Sequence, residues 1–120
     1  MFPQANVEGS LPLRESTFLI LLSLSNGPRH GYAIMKEVAA LSGDRVHLST
    51  GTLYGALKRL LADNWIQRTE AGPSSGLRDG GSRRRTYVLT DLGRGLLEAE
   101  VARLRSLVAA VDLRTSGMQA

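Results

Sequence analysis

Apolar and polar positions follow several rhythms along this chain, and the most regular runs from Ser49 to Trp65 (STGTLYGALKRLLADNW). Leu53, Leu57, Leu60 and Leu61 recur at i, i+4, i+7 and i+8, the period of one buried helical stripe. Ser49 is placed to cap the first turn, since its hydroxyl can accept from a backbone N–H that has no helical partner. Asn64 tolerates the left-handed conformation that ends helices, so the predicted helix is Ser49–Asn64. The opposite face gathers Gly51, Thr52, Gly55, Lys58, Arg59 and Ala62, with Tyr54 at its edge. Glycines inside a helix cost about 1 kcal/mol each in propensity, and a face that only meets water has no need of them. Small residues beside Thr, Lys and Arg suit a helix that must come close to another surface, and the major groove of DNA is the foremost candidate.

The remaining elements are less regular. Residues 1–12 carry two prolines, an Asn and a Gly without periodicity and read as a loose arm. In Leu13–Ser25 (LRESTFLILLSLS), Phe18, Leu19, Ile20, Leu21, Leu22 and Leu24 cover nearly the whole circumference of a helix, although the pattern alone also admits a strand. As a helix it must be buried on most sides, in the core or against a second subunit. Asn26-Gly27-Pro28 ends it. His30–Leu41 places Ile34, Val38 and Leu41 at helical spacing; Tyr32 and Met35 read as packing residues and His30 as a structural histidine. Ser42-Gly43-Asp44 turns the chain, and Val46-His47-Leu48 reads as a short bridging strand.

Trp65–Glu70 is strand-like. Residues 71–82 (AGPSSGLRDGGS) are loop by composition. A second strand starts at Arg83 or Arg84 and runs to Leu89, with Arg85, Tyr87 and Leu89 on one face and Arg84, Thr86 and Val88 on the other. By that alternation Arg85 is the arginine whose stem would pack on the sheet interior. The two strands are expected to form a hairpin with a long tip. Thr90 caps a last helix that runs to about Asp112, with Gly93 a weak spot. Leu97, Val101, Leu104, Val108 and Val111 form a heptad seam, widened by Leu92, Leu96 and Leu107. A small domain has no need of so long an apolar stripe on its terminal helix. The seam, together with Phe18, is therefore expected to meet a second subunit, and residues 114–120 to fray.

The order helix, helix, short strand, helix, strand, long loop, strand is that of a winged helix-turn-helix. The predicted fold is α+β, mostly helical: a winged helix-turn-helix domain at 13–89 with a two-stranded wing, then a C-terminal dimerisation helix at 90–113.

Charge sharpens this picture. The 120 residues carry a formal charge of +4, and between Lys58 and Arg94 there are eight basic and four acidic residues against seven of each elsewhere. The excess thus lies between the central helix and the start of the last one, and points to an anionic partner. Lys58 and Arg59 on the helix, Arg78 in the loop and Arg83, Arg84 and Arg85 at the returning strand would flank one surface, where phosphate contacts hold the duplex and the helix reads base edges. Arginine at the wing suits forked contacts to phosphate oxygens. RNA fits less well, because its deep major groove does not admit a helix in this way.

Other chemistry is disfavoured. There is no cysteine, which removes disulfides and thiol chemistry, and the two histidines complete no metal-ligand spacing. Gly80-Gly81 is not followed by the Lys-Ser or Lys-Thr of a phosphate loop. No cofactor, metal or catalytic set is expected. Nor is a membrane partner, for no run reaches the length of a spanning helix, and a cytoplasmic location follows.

The phrases GPRHGYAIMKEV (27–38), LSTGTLYGALKRL (48–60) and RRRTYVLTDLGRGLL (83–97), in that order, resemble the PadR-like family of bacterial transcriptional regulators. The resemblance spans Leu13 to the end of the last helix. It implies a winged-helix homodimer that represses transcription from a palindromic operator in double-stranded DNA. It implies, too, that Thr50, Thr52, Tyr54, Lys58 and Arg59 lie on or beside the DNA-reading helix, with Gly51 allowing close approach. Arg84 and Arg85 would flank the wing, and Leu97–Val111 would cross a partner helix. Two departures stand out: Gly55 where the family often has proline, and Asn64-Trp65 where Gly-Leu or a similar pair is usual. Some members bind planar compounds against an aromatic of the C-terminal helix, but here that helix has none between Leu92 and Leu113. Phe18 or Trp65 would have to serve a small-molecule effector. The rival reading is a winged-helix adaptor for protein partners that does not bind DNA.

Overall fold

The computed structural model describes residues 9–70 and 85–119, with side chains to residue 117. Among the described residues the elements in chain order are α1 (Glu15–Ser23), β1 (Arg29–His30), α2 (Gly31–Leu41), α3 (Thr50–Ala62), β2 (Ile66–Thr69), β3 (Thr86–Leu89) and α4 (Asp91–Gln119). The sheet is antiparallel with β3 in the middle. This is the predicted winged helix-turn-helix class.

The helix ends are made by local chemistry. At the start of α3, Ser49 Oγ accepts from the Thr52 N–H at 3.1 Å. At its end Asn64 adopts φ 65°, and the Asn64 and Trp65 N–H groups donate to the Leu61 and Leu60 carbonyls at 3.1 and 3.0 Å. That double closure satisfies carbonyls a helix end would otherwise leave open. Helix α2 closes in the same way through Gly43 at φ 64°, with Asp44 donating to Ala39 at 2.7 Å. Thr90 Oγ1 accepts from the Gly93 N–H at 3.0 Å and donates to the Asn64 carbonyl at 2.7 Å. One threonine therefore caps α4 and ties it to the exit of α3.

The core is the meeting of four apolar stripes. Ile20, Leu21 and Leu24 from the first helical segment, Ile34 and Val38 from α2, and Leu53 and Leu57 from α3 are fully buried. Ile66 and Tyr87 close it from the sheet, and Leu96 and Leu97 of α4 are buried as well. Deleting one such leucine side chain costs about 2–5 kcal/mol.

Five expectations are corrected. The bridging strand is not Val46-His47-Leu48. It is Arg29–His30, which pairs with Tyr87 and Thr86 of β3. The Val46 N–H is taken by Ser42 Oγ at 2.9 Å instead. Arg85 does not turn inward: β3 begins at Thr86, and Arg85 is exposed at its entrance. As the central strand, β3 buries both Thr86 and Tyr87, so simple in–out alternation fails there. Tyr32 is not a packing residue; it is 65 % exposed, with the Lys36 ammonium 5.4 Å from its ring centre. Helix α4 does not stop near Asp112 but continues to Gln119, through most of the stretch expected to fray. Gly93 is no mere weak spot. A Cβ there would overlap the Trp65 carbonyl oxygen and lie 2.9 Å from its carbon, so glycine is what lets α4 start this close to the α3 exit.

Candidate nucleic-acid interface

The buried stripe of α3 decides what its other side presents. Leu53, Leu57 and Leu60 are 0–4 % exposed, which leaves Thr50, Gly51, Thr52, Gly55, Lys58, Arg59 and Ala62 exposed. Neither Gly51 nor Gly55 has any atom near the position of an added Cβ. Their small size therefore leaves an open, shallow strip along the helix, flanked by the two basic side chains. Tyr54 lies at the edge of that strip, 45 % exposed, with its phenol turned toward Gly31 at the start of α2.

The wing strands extend the basic surface at their roots. Arg68 of β2 stands in register with Tyr87, and both Arg68 and Arg85 are exposed. Burial pushes the Tyr87 phenol above the usual tyrosine range, and the neighbouring Tyr54 adds to this. Arg68 and Arg85 pull it back, Arg68 also through a side-chain hydrogen bond. Both guanidiniums therefore act on the Tyr87 phenol. Arg68 was missed in the sequence because a single arginine in a short polar strand has no pattern. Only its pairing opposite Tyr87 places it at the root of the wing. The predicted Arg78, Arg83 and Arg84 lie outside the described residues.

Among the described residues Lys58, Arg59, Arg68 and Arg85 make no ion pair, whereas Arg29, Arg45 and Arg103 are each held by a carboxylate. Arg29 is internal hardware: its Nε donates to the Ser23 carbonyl at 2.6 Å. Other cations, Arg14 and Arg94 among them, are unpaired as well, so it is the grouping along α3 and the wing roots that distinguishes the surface. His30 is structural in position, its Nδ1 3.1 Å from Thr86 Oγ1, with Nε2 buried and unpartnered among the described residues.

The residues expected to meet a second subunit separate into two groups. Leu97, only 6 % exposed, belongs to the core. Phe18, Val101, Leu104 and Val108 line an open apolar groove of about 390 Å³, and along α4 beyond it Leu107, Val111 and Leu113 are 52–76 % exposed. A second recess of about 230 Å³ lies between Leu13, Arg14 and Thr17 on one side and Arg59, Asp63 and Trp65 on the other. Among the described residues no group of His, Cys, Asp and Glu is arranged to hold a metal, and no helix is long and apolar enough to cross a membrane.

A helix with a small, basic outer strip, packed with a second helix and followed by the roots of a two-stranded wing, is the arrangement of a winged helix-turn-helix. Residues 20–99 match the transcriptional regulator PadR-like family, and the chain belongs to it. The family is one of transcriptional regulators. A 37.1 kDa protein in transposon TN4556 of Streptomyces fradiae is 40 % identical over 86 residues, covering 72 % of this chain but only 22 % of that relative's length. A PadR family transcription regulator from Clostridium difficile R20291 is 27 % identical, with a TM-score of 0.66 over 85 % of this chain and 99 % of that one. Bacillus subtilis PadR, solved in complex with operator DNA, has the same fold at 23 % identity and a TM-score of 0.62, covering 75 % of this chain and 48 % of that one.

Proposed function

We propose that the protein is a homodimeric repressor that inserts two copies of α3 into successive major grooves of a palindromic operator. The observation that carries this reading is the outward strip of α3, small and basic while its leucines are spent on the core. Thr50, Gly51 and Thr52 would approach base edges, with Tyr54 at their flank. Lys58, Arg59, Arg68 and Arg85 would neutralise phosphates, with Arg78, Arg83 and Arg84 extending the wing. A two-fold axis would set the two helices about 34–36 Å apart on one face of the duplex. The fold shared with a PadR solved on its operator supports the same docking.

The dimer reading draws on α4. Leu104, Leu107, Val108 and Val111 are 36–61 % exposed on one helix, an apolar run that water solvates poorly and a second copy of the helix would cover. An effector, where one acts, would enter the groove beside Phe18 that such a partner would close.

Selection of duplexes from a randomised pool, followed by titration at several salt concentrations, tests the reading. A palindromic consensus is expected, bound as one dimer, with affinity falling steeply as salt rises because phosphate neutralisation releases counterions. No enrichment, together with no duplex affinity at low salt, would overturn it in favour of a protein-binding adaptor.

A further inference from the structure

We infer that Tyr54 is a positioning residue, which sets the stance of α3 through the backbone of Gly31 rather than by touching DNA. This rests on the DNA-binding reading above and assigns a part within it. Gly31 is buried at the first position of α2. A Cβ there would overlap the Tyr54 hydroxyl and come within 2.8 Å of Cζ and 3.4 Å of Cε1. The phenol thus occupies the space that any other residue at position 31 would fill. It is the far end of Tyr54 that rests on α2, while the residue as a whole is 45 % exposed.

The leucine stripe cannot do this work alone. Leu53, Leu57 and Leu60 hold α3 down on one side only. Tyr54 stands to one side of that stripe and bears on a second helix, so it acts as an outrigger. Helix side chains reach about 5–6 Å from the axis, so a rotation of about 10° moves the outer strip by about 1 Å. A hydrogen bond to a base edge is largely lost over such a distance, since donor–acceptor separations span only about 2.7–3.2 Å. A phosphate contact, long-ranged and made by flexible Lys or Arg, hardly notices it. Loss of the outrigger should therefore cost base reading and spare the salt-dependent part of binding.

The test compares Gly31→Ala, Tyr54→Ala and Tyr54→Phe, using the duplex selected by the wild-type protein and a scrambled duplex of equal length. Gly31→Ala changes no residue of the outer strip and displaces only the Tyr54 phenol at its edge. It is expected to weaken the selected duplex at least tenfold and the scrambled one less than twofold, with an unchanged slope of log affinity against log salt. Tyr54→Ala is expected to do the same, and Tyr54→Phe, which keeps the ring over Gly31, to cost no more than about threefold. Adding Gly31→Ala to Tyr54→Ala should cost nothing further, because the methyl enters space the ring has left. That double variant also serves if Gly31→Ala alone does not fold. Unchanged selectivity in Gly31→Ala, a Tyr54→Phe loss as large as that of Tyr54→Ala, or additive losses in the double variant would each overturn the inference while leaving the DNA reading intact. A wild-type protein that selects no duplex removes both.

Discussion

Helices α3 and α4 carry similar apolar stripes and put them to different use. In α3 every leucine of the period meets the chain's own core, and the outer strip is polar, small and basic. In α4 the stripe starts the same way, with Leu96 and Leu97 buried, then leaves the domain while its period continues through Leu104, Val108 and Val111. The crossover lies at Glu100, a carboxylate only 2 % exposed that accepts from Arg103 Nε and Nη2 at 2.7 and 2.9 Å and from the Leu13 N–H at 3.2 Å. Up to that point α4 belongs to the monomer, and after it the helix has outgrown its domain. A stripe at helical period therefore marks an apolar face. It does not place that face in the core.

The contrast can be broken most strongly from the α3 side. Leu57→Ala empties a fully buried site and is expected to lower unfolding free energy by about 2–5 kcal/mol in denaturant titration. Next comes the α4 entrance: Gly93→Ala forces a methyl against the Trp65 carbonyl and should cost about 1–3 kcal/mol by the same measurement. A loss below about 0.5 kcal/mol would mean that α4 does not start as tightly as described.

Glu100→Gln probes the crossover. It keeps an acceptor for Leu13 but gives up the charge, for an expected loss of about 1 kcal/mol near neutral pH, held low because Arg103 is partly exposed. Hydrogen bonding to Arg103, and to a lesser degree to the Leu13 N–H, holds the Glu100 carboxyl below its usual range despite burial. A depressed value means the ionised form favours the folded state. That contribution is complete above the ordinary carboxylate pKa and disappears as pH falls through the lowered one. Wild type and variant should therefore converge in stability under acid, and a gap that stays constant would contradict the ionised clamp. The smallest effect on the monomer is expected at the far end: Leu104→Asp should change folding free energy by less than about 1 kcal/mol, yet leave monomers at micromolar concentration in sedimentation. A dimer that survives it would refute the proposed use of the outgrown stripe.

Much of the fold was legible because its signals are local. Ser49, Asn64 and Thr90 cap or end helices through bonds to backbone a few residues away, and each behaves as its chemistry predicts. The strip on α3 was equally legible, since periodicity alone divides a helix into an inner and an outer face. The third strand was not. Arg29 and His30 are two residues with no strand pattern, and they become one only because Tyr87 and Thr86 arrive beside them. Arg68 carries no pattern for the same reason, and Tyr32 reads as a packing residue although α2 turns it to water.

The sequence by itself determined the caps at Ser49, Asn64 and Thr90, which side of α3 is apolar, and that cations gather between residues 58 and 94. Those properties are written in neighbours within one or two turns. Only the tertiary structure decided that Leu97 is inside while Leu104 is outside, that Gly93 must leave room for Trp65, and that Tyr54 rests on Gly31. Each of these depends on the distance between segments far apart in the chain, and that distance is set by how all the buried faces pack at once.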